Sequence, residues 1–453
     1  MRILLLAQAF PPHPEVGALR ARNVVEALLR AGHYVTVVTE RAEGAPYDPG
    51  PPARDRFRLV PVDVGHRFGR RLLSLAGPFS ASASKAEPVE SGTPPTAPGF
   101  LRRTALSLLS LPDSDQHLIR PFLRAGTEAG RNGVDLLYTS APPFSLQVAG
   151  YLLRSRLRVP WVAEYRDPWN HAWTHRTELQ NGFIRKIDAR MERMALRRAD
   201  GLVTVTEAAR ELLSARLPVE QRSKVIVIRN GIPDWSAMVT PEPPGQGGTR
   251  PFTLLHAGSL YMNRDPLSFL DAVSLLVKQR NLGARDLSVR LIGRCREFQG
   301  RPVSALVAER GLSEIVRIDD WLPHDQVRAE MLEAGALVLF AQHQPLQVPN
   351  KLYEYLAAGR PILAFVDREG ECRRLLEEVG GAEMVYQADP VAVAGILERL
   401  YDQRHAQTAM LDQGNREARG RLATTVQMRE MVSELEQRFS GMTAAGARNG
   451  SPT

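Results

Sequence analysis

The chain opens with an unbroken apolar run, "ILLLAQ". It is followed by "ARNVVEALLRAGH", in which Val24, Val25, Leu28 and Leu29 fall on one helical stripe ending at Gly32, and then by "YVTVVT". A strand buried on both faces reads as continuous apolar sequence, and an amphipathic helix repeats its apolar positions at helical spacing. These three segments therefore predict a strand, helix and strand in a parallel sheet covered by helices. The same alternation returns in the second half: "FTLLHAG", "PLSFLDAVSLLVKQR", "LSVRLIG", then "GALVLFA", "KLYEYLAAG" and "PILAFV". The pattern predicts an α/β chain with two doubly wound, Rossmann-like sheets, one per half.

At 453 residues the chain exceeds what one hydrophobic core usually organises. The Pro/Gly stretch "TPEPPGQGGTRP" has almost nothing to bury and reads as a linker. This gives an N-terminal domain over 1–240, a linker over 241–251, a C-terminal domain over 252–410, C-terminal helices over 411–440 and a disordered tail over 441–453. Within the first domain, residues 78–99 form a low-complexity insert expected to be disordered. Its flanks combine Arg67, Arg70, Arg71, Arg102 and Arg103 with Leu and Phe. They suit either contact with an anionic membrane surface or ordinary packing on the core.

The composition, 43% hydrophobic and 24% charged, is that of a globular protein, and no apolar run is long enough to span a bilayer. Pro11 and Pro12 interrupt the N-terminal apolar run before any small-residue cleavage site, so it reads as a strand and not as a signal peptide. Cys295 and Cys372 show neither metal-finger nor redox spacing and fit a reducing compartment. The expected location is therefore cytoplasmic, either free or peripheral on the inner membrane face. The net charge of +8 suits phosphorylated substrates, anionic lipid or a merely basic surface. With no basic run interleaved with aromatics, nucleic acid is not expected as a partner.

In open parallel sheets, ligands bind beyond the carboxyl ends of the strands, so every loop after a strand is a candidate. After the first strand comes Gly17, which reads equally as a turn glycine or as a backbone approach to a phosphate or hydroxyl. The fingerprint G-x-G-x-x-G is absent, which counts against a nicotinamide or flavin enzyme. "WVAEYRDPWN" ends a strand with Glu164, Arg166, Asp167 and Trp169 close together, either as site groups or as a structural ion pair. His171 and His175 are four apart but lack a third ligand, so no metal is expected. No G-x-S-x-G elbow or Walker loop is present.

In the second half, Gly258 and Arg264 follow one strand, and Gly293, Arg294 and Arg296 another. Basic residues at these positions suit a pyrophosphate. In "VPNKLYEYLAAGRPILAF", Asn350 is a suitable N-cap and Gly359 with Pro361 a stop, giving a helix of about two turns. Lys351 then sits in the first turn, where a cation opposes the helix dipole by roughly 0.3 to 1 kcal/mol unless an anion binds there. Glu354, one turn further on, is placed to accept hydrogen bonds from ribose hydroxyls. The alternative is a surface lysine and a dipole-favoured glutamate.

The order of "PP…G…ALRARNVVEALLRAGHYVTVVT", "ADGLVTVTEAARELL", "KVIVIRNGIP", "LLHAGSLYMNRDPLSFLDAV" and "VPNKLYEYLAAGRPILA" resembles the family 4 retaining glycosyltransferases. The resemblance runs from Met1 to about residue 400, leaving out the insert. It implies the GT-B fold, two facing Rossmann-like domains with the active site in the cleft between them. It also implies a nucleotide-sugar donor held mainly by the C-terminal domain, a glycan or lipid-linked acceptor, and no required metal or other cofactor. The diphosphate would leave with retained anomeric configuration, taking the acceptor's proton on the face of departure. By the same resemblance Glu354 matches the later glutamate of the family's paired motif and contacts the donor ribose. Arg264 matches a diphosphate-binding basic residue, and Asn230 and Gly231 match the Asn-Gly ahead of the linker.

The chain departs from the family pattern at three places. The first glutamate of the pair is replaced by Leu346, while Pro349, Asn350 and Lys351 resemble the subset with a Pro-Ser-Lys-like step. Ser259 stands where an arginine is expected, leaving Arg294 or Lys351 to share its role. Arg166 and Asp167 stand where many members have a histidine. The resemblance thus implies leaving-group stabilisation by Lys351 and Arg264. Asp167 would orient the donor sugar or the acceptor hydroxyl, and Gly17, Arg166, Gly258, Ser259, Arg294, Pro349, Asn350 and Glu354 would contact substrate. Two other functions remain open: a non-catalytic nucleotide-sugar-binding homologue or partner subunit, and a nucleotide-sugar epimerase of the same fold.

Overall fold

The computed structural model describes residues 1–13, 16–64, 111–169, 182–235, 250–260, 264–387, 389–405 and 416–446. The low-complexity insert and its flanking arginines, His171, His175 and most of the expected linker lie outside these residues. The chain forms two compact units, Met1–Ile228 with Met428–Thr453, and Arg229–Gln427.

The first unit is built on seven strands: β1 (Arg2–Ala7), β2 (Tyr34–Glu40), β3 (Phe57–Val62), β4 (Leu136–Ala141), β5 (Trp161–Tyr165), β6 (Gly201–Thr204) and β7 (Val225–Val227). They lie in the order β3-β2-β1-β4-β5-β6-β7, and every pairing is parallel. The apolar run of β1 and all six residues of β4, Thr139 and Ser140 included, are buried on both faces, as a sheet with helices on each side demands. One face is covered by α1 (Val16–Arg30), whose Val24, Val25, Leu28 and Leu29 enter the core as their spacing predicts. The other carries α2 (Ile119–Gly130), α3 (Ser145–Leu157) and α4 (Gly182–Arg198). A shorter helix, α5 (Glu207–Ala215), is capped by Thr206, whose hydroxyl accepts from the Ala209 amide.

The second unit repeats the winding with β8 (Phe252–Ala257), β9 (Leu287–Ile292), β12 (Val316–Asp319), β13 (Ala336–Ala341), β14 (Ile362–Val366) and β15 (Ala382–Val385). Their order is β12-β9-β8-β13-β14-β15, with a two-residue ribbon of β10 (Glu297–Phe298) and β11 (Arg301–Pro302) between β9 and β12 in sequence. The helices are α6 (Leu267–Arg280), α7 (Val303–Ala308), α8 (His324–Glu333), α9 (Asn350–Ala358), α10 (Glu371–Val379), α11 (Pro390–Asp402) and α12 (Arg416–Arg421).

The last helix, α13 (Thr424–Gly446), begins in the second unit and from Met428 onward belongs to the first. There Met428, Met431, Leu435 and Phe439 join Val24 and Val25 in one core. The helix also runs past Gly441, where the sequence reading begins a tail. The segment "GMTAAG" carries two alanines, the residue with the highest helix propensity. Among the described residues no helix is long and apolar enough to cross a membrane.

Candidate functional site

Each sheet reverses its winding between its first and fourth strands, β1 and β4 in one unit and β8 and β13 in the other, and a crevice opens beyond the carboxyl ends of such a strand pair. In the second unit that crevice is lined by the loop after β8, the loop after β13 and the first turn of α9. Leu352, Tyr353 and Leu356 of α9 are buried against the sheet, and Gly359 ends the helix in a left-handed conformation, as read from the sequence. Its start differs: Pro349 takes the N-cap position with φ −56° and ψ 136°, and Asn350 is the first helical residue and makes no capping bond. Proline fixes its own φ at the entry to the helix but carries no side-chain acceptor, so the first amides of α9 receive no side-chain cap from it.

Lys351 lies on this first turn. Part of the residue is exposed, but its Nζ is inaccessible to water and meets no hydrogen-bond acceptor. A Cβ built on Gly258 would fall 1.4 Å from that Nζ, so the lysine fills the space a side chain at 258 would need. Behind it, Gly293 has φ +116°, and its Cβ would stand 2.3 Å from the Gly258 carbonyl oxygen, a backbone clash that excludes any other residue. Burial, then the nearby Arg264 guanidinium, brings the Lys351 ammonium down to about 7.

Three further side chains close this pocket. Arg264 is buried, donating to the Gln344 Oε1 at 3.3 Å and to the Ser259 carbonyl at 3.5 Å. His256, at the end of β8, holds its Nδ1 2.9 Å from the Val338 carbonyl, which fixes the proton there, while Nε2 is buried without a hydrogen-bond partner. Burial, with Lys351 beside it, holds His256 well below its usual range and hence neutral. Cys295 donates to the Gly258 carbonyl at 3.3 Å, and burial pushes its thiol up to about 11. The Lys351 amine is thus buried with no hydrogen-bond acceptor beside it, an arrangement that suits an anion.

Glu354 is one turn along α9 from Lys351, and its Oε1 lies 2.9 Å from His324 Nε2 at the start of α8. That hydrogen bond raises the imidazole's proton affinity. Arg294 stacks over the exposed Trp321 ring at 5.9 Å. Sequence reading did not single out His256, Gln344, Trp321 or His324. Of these only His324 carried a signal, as an N-terminal residue of a helix beginning just after Pro323.

The candidates from the first half, Gly17, Arg166 and Asp167, all belong to the first unit. Arg166 is half-buried, donates to the Pro142 carbonyl at 2.5 Å and lies over Gly17, whose Cβ would be 2.7 Å from its Nη1. The β1, β4 and β5 loops thus meet there. Asp167 is half-buried beside Arg166. Glu164 and Trp169 are structural. Glu164 is fully buried, bonded to Arg20 Nε at 2.9 Å and Ser140 Oγ at 2.5 Å. Burial alone would raise its carboxyl, and these partners outweigh that and hold it low. Trp169 is buried and donates to Asp188 at 3.0 Å.

Two doubly wound parallel units define a two-domain, Rossmann-like α/β protein. The family models agree: the glycosyl transferase 4-like domain matches residues 17–231, and the glycosyl transferases group 1 domain matches residues 251–403. The chain belongs to this glycosyltransferase family. It is 27% identical over 184 residues to the 2-deoxystreptamine glucosyltransferase of Streptomyces kanamyceticus, a match covering 39% of this chain and 45% of that enzyme. Among solved structures, it is similar to a sucrose-phosphate synthase from Thermosynechococcus elongatus (TM-score 0.62, 15% identity, 97% and 100% of the two chains). It is also similar to Anabaena HepE in complex with UDP and glucose (TM-score 0.60, 14% identity, 96% and 99%). At this level of identity the likeness establishes the fold, which is GT-B.

Proposed function

We propose that the protein is a retaining glycosyltransferase that moves a sugar from a nucleoside-diphosphate donor to a glycan or lipid-linked acceptor. The observation that carries this is Lys351: a buried amine without an acceptor, on the first turn of α9, beside Arg264 and against the Gly258 backbone. A diphosphate placed there would give the lysine its counter-charge and accept from the amides at the helix start. Glu354 would hold the donor ribose, with Gly258, Ser259, Arg294, Pro349 and Asn350 lining the donor. HepE, which shares the fold, has been crystallised with UDP-glucose.

In this reading Lys351 and Arg264 stabilise the charge that develops on the leaving diphosphate, and no metal is required for that role. The departing phosphate oxygen takes the acceptor hydroxyl's proton on the face it leaves, which retains the anomeric configuration. Asp167 orients the acceptor hydroxyl or the donor sugar, and Arg166 and Gly17 shape the acceptor side. Leu346, in the position of the family's first glutamate, favours a second reading in which the chain binds a nucleotide sugar without turning it over. We place the protein in the cytoplasm, with peripheral association at the inner membrane face, acting in polysaccharide or glycoconjugate synthesis.

The test is incubation with UDP-, GDP- and ADP-sugars and a crude lipid acceptor, measuring released nucleotide and the anomeric configuration of the product. Turnover with retention supports the proposal. Binding without turnover across the panel supports the second reading, and inverted product rejects the retaining mechanism.

A further inference from the structure

Helices α2 and α3 approach closely because α2 carries glycines where α3 carries leucines. A Cβ on Gly126 would stand 2.7 Å from Leu153 Cδ1, and one on Gly130 2.6 Å from Leu157 Cδ2. With Phe122, Gly126 and Ala129 buried, the opposite stripe of α2 is fixed outward. Arg120, Arg124, Thr127 and Arg131 recur on that stripe at helical spacing, Arg131 just past the helix end. With Arg156 of α3 and Glu128 they line a groove of about 470 Å³.

Many arginines elsewhere in the protein pair with carboxylates. Arg154, two residues before Arg156, binds Asp200 at 2.8 Å, and Arg310 binds Asp271 at 2.7 Å. Among the described residues no ion pair involves Arg120, Arg124, Arg131 or Arg156. Among the described residues that line the groove, four arginines, Arg120, Arg124, Arg131 and Arg156, stand against one carboxylate, Glu128. Arg131 and Arg156 lie near helix C-termini, where the dipole favours cations. Arg120 and Arg124 gain nothing from that: they occupy the first half of α2, one turn apart, where both the dipole and their mutual repulsion oppose them. A bound anion removes both penalties, and guanidinium groups along one groove suit the oxygens of a phosphate.

We infer that the groove between α2 and α3 is a binding site for a phosphate group, distinct from the pocket at Lys351. The phosphate can come from a lipid headgroup or from a soluble phosphate ester, and the two sources are separable. Amide hydrogen exchange of the full chain is followed with inorganic phosphate against chloride at equal ionic strength. Co-sedimentation with phosphatidylglycerol vesicles is compared with phosphatidylcholine vesicles.

Phosphate should slow exchange over α2 and α3 in the wild type and equally in Lys351→Gln, which removes the other anion pocket. It should not do so in Arg124→Gln/Arg156→Gln, whose exposed substitutions leave thermal unfolding unchanged. If the source is lipid, phosphatidylglycerol binding should weaken about 30-fold in that double variant, near fivefold per basic residue at an anionic surface. Phosphate protection without vesicle binding assigns a soluble ester. Protection that persists in the double variant, or none in the wild type together with vesicle binding unaffected by the double substitution, overturns the inference.

Discussion

The amine of Lys351 and the missing side chain of Gly258 share one volume: an ideal Cβ at 258 would lie 1.4 Å from Nζ. Nothing larger than a hydrogen at position 258 leaves the lysine where it is. The glycine just after β8 and the lysine at the start of α9 therefore pack as one unit.

Gly258→Ala should displace Lys351 and weaken donor binding by about tenfold or more, while costing roughly 1 to 3 kcal/mol of stability through overpacking. Calorimetric titration with UDP and urea unfolding read the two effects separately. Unchanged nucleotide affinity would remove Lys351 from the donor site.

Lys351 also makes stability depend on pH. In the folded protein its ammonium titrates at about 7, against 10.5 in an unfolded chain. Between those values the unfolded state binds the extra proton, so stability rises with pH across that window, and the burial penalty is felt in full below about 7. Lys351→Met should flatten this rise and unfold at higher temperature than the wild type at neutral pH. His256, held well below 6.5, titrates outside this window. Cys295, raised by burial from 9.0 to about 11, opposes the rise above about 9, so the slope due to Lys351 is read between about 7 and 9.

A bound diphosphate reverses the same balance by restoring the proton to Lys351. Donor affinity should fall as pH rises above about 7, by up to about tenfold per unit, with proton uptake visible as a buffer-dependent binding enthalpy. The Lys351→Met protein should show neither.

His324 and Glu354 supply a smaller effect of opposite sign. The imidazole's affinity for its proton is raised in the folded state by the Glu354 carboxylate, so its contribution is complete below the usual histidine value of 6.5 and is lost as pH rises through the raised value. With His324 more than half exposed, the pair is worth a few tenths of a kcal/mol. Glu354→Gln should lose both this pH dependence and the ribose contact. Wild-type nucleotide affinity in Glu354→Gln would exclude the ribose role.

The buried pair of Arg20 and Glu164 is structural, and Glu164→Leu should cost about 3 to 5 kcal/mol because it leaves Arg20 buried without its partner. Urea unfolding at neutral pH measures it.

The fold was legible because fully buried strands such as β1 and β13 are written as unbroken apolar runs, and α1 as a stripe. Lys351 was legible because a cation in a helix's first turn contradicts the dipole. His256 was not: it lies inside the apolar run "FTLLHA", and the carbonyl that fixes its proton belongs to Val338, 82 positions away. Glu164 resembled a site residue for the same reason, since Arg20 is 144 positions distant. Contacts of that range leave no local periodicity. The arginine groove was hidden likewise, because Gly126 and Gly130 acquire meaning only once Leu153 and Leu157 are set against them.

Helix α13 carries a consequence for how the protein is made. Met431 lies 3.9 Å from the Tyr138 hydroxyl, and Phe439 stands against Gly201, so side chains from the last part of the sequence complete the core begun by the first strand. During synthesis the strands of the first sheet emerge well before Met431 and Phe439, so that part of their core closes only once α13 has left the ribosome. The first unit's core is therefore closed after the strands of the second have been made.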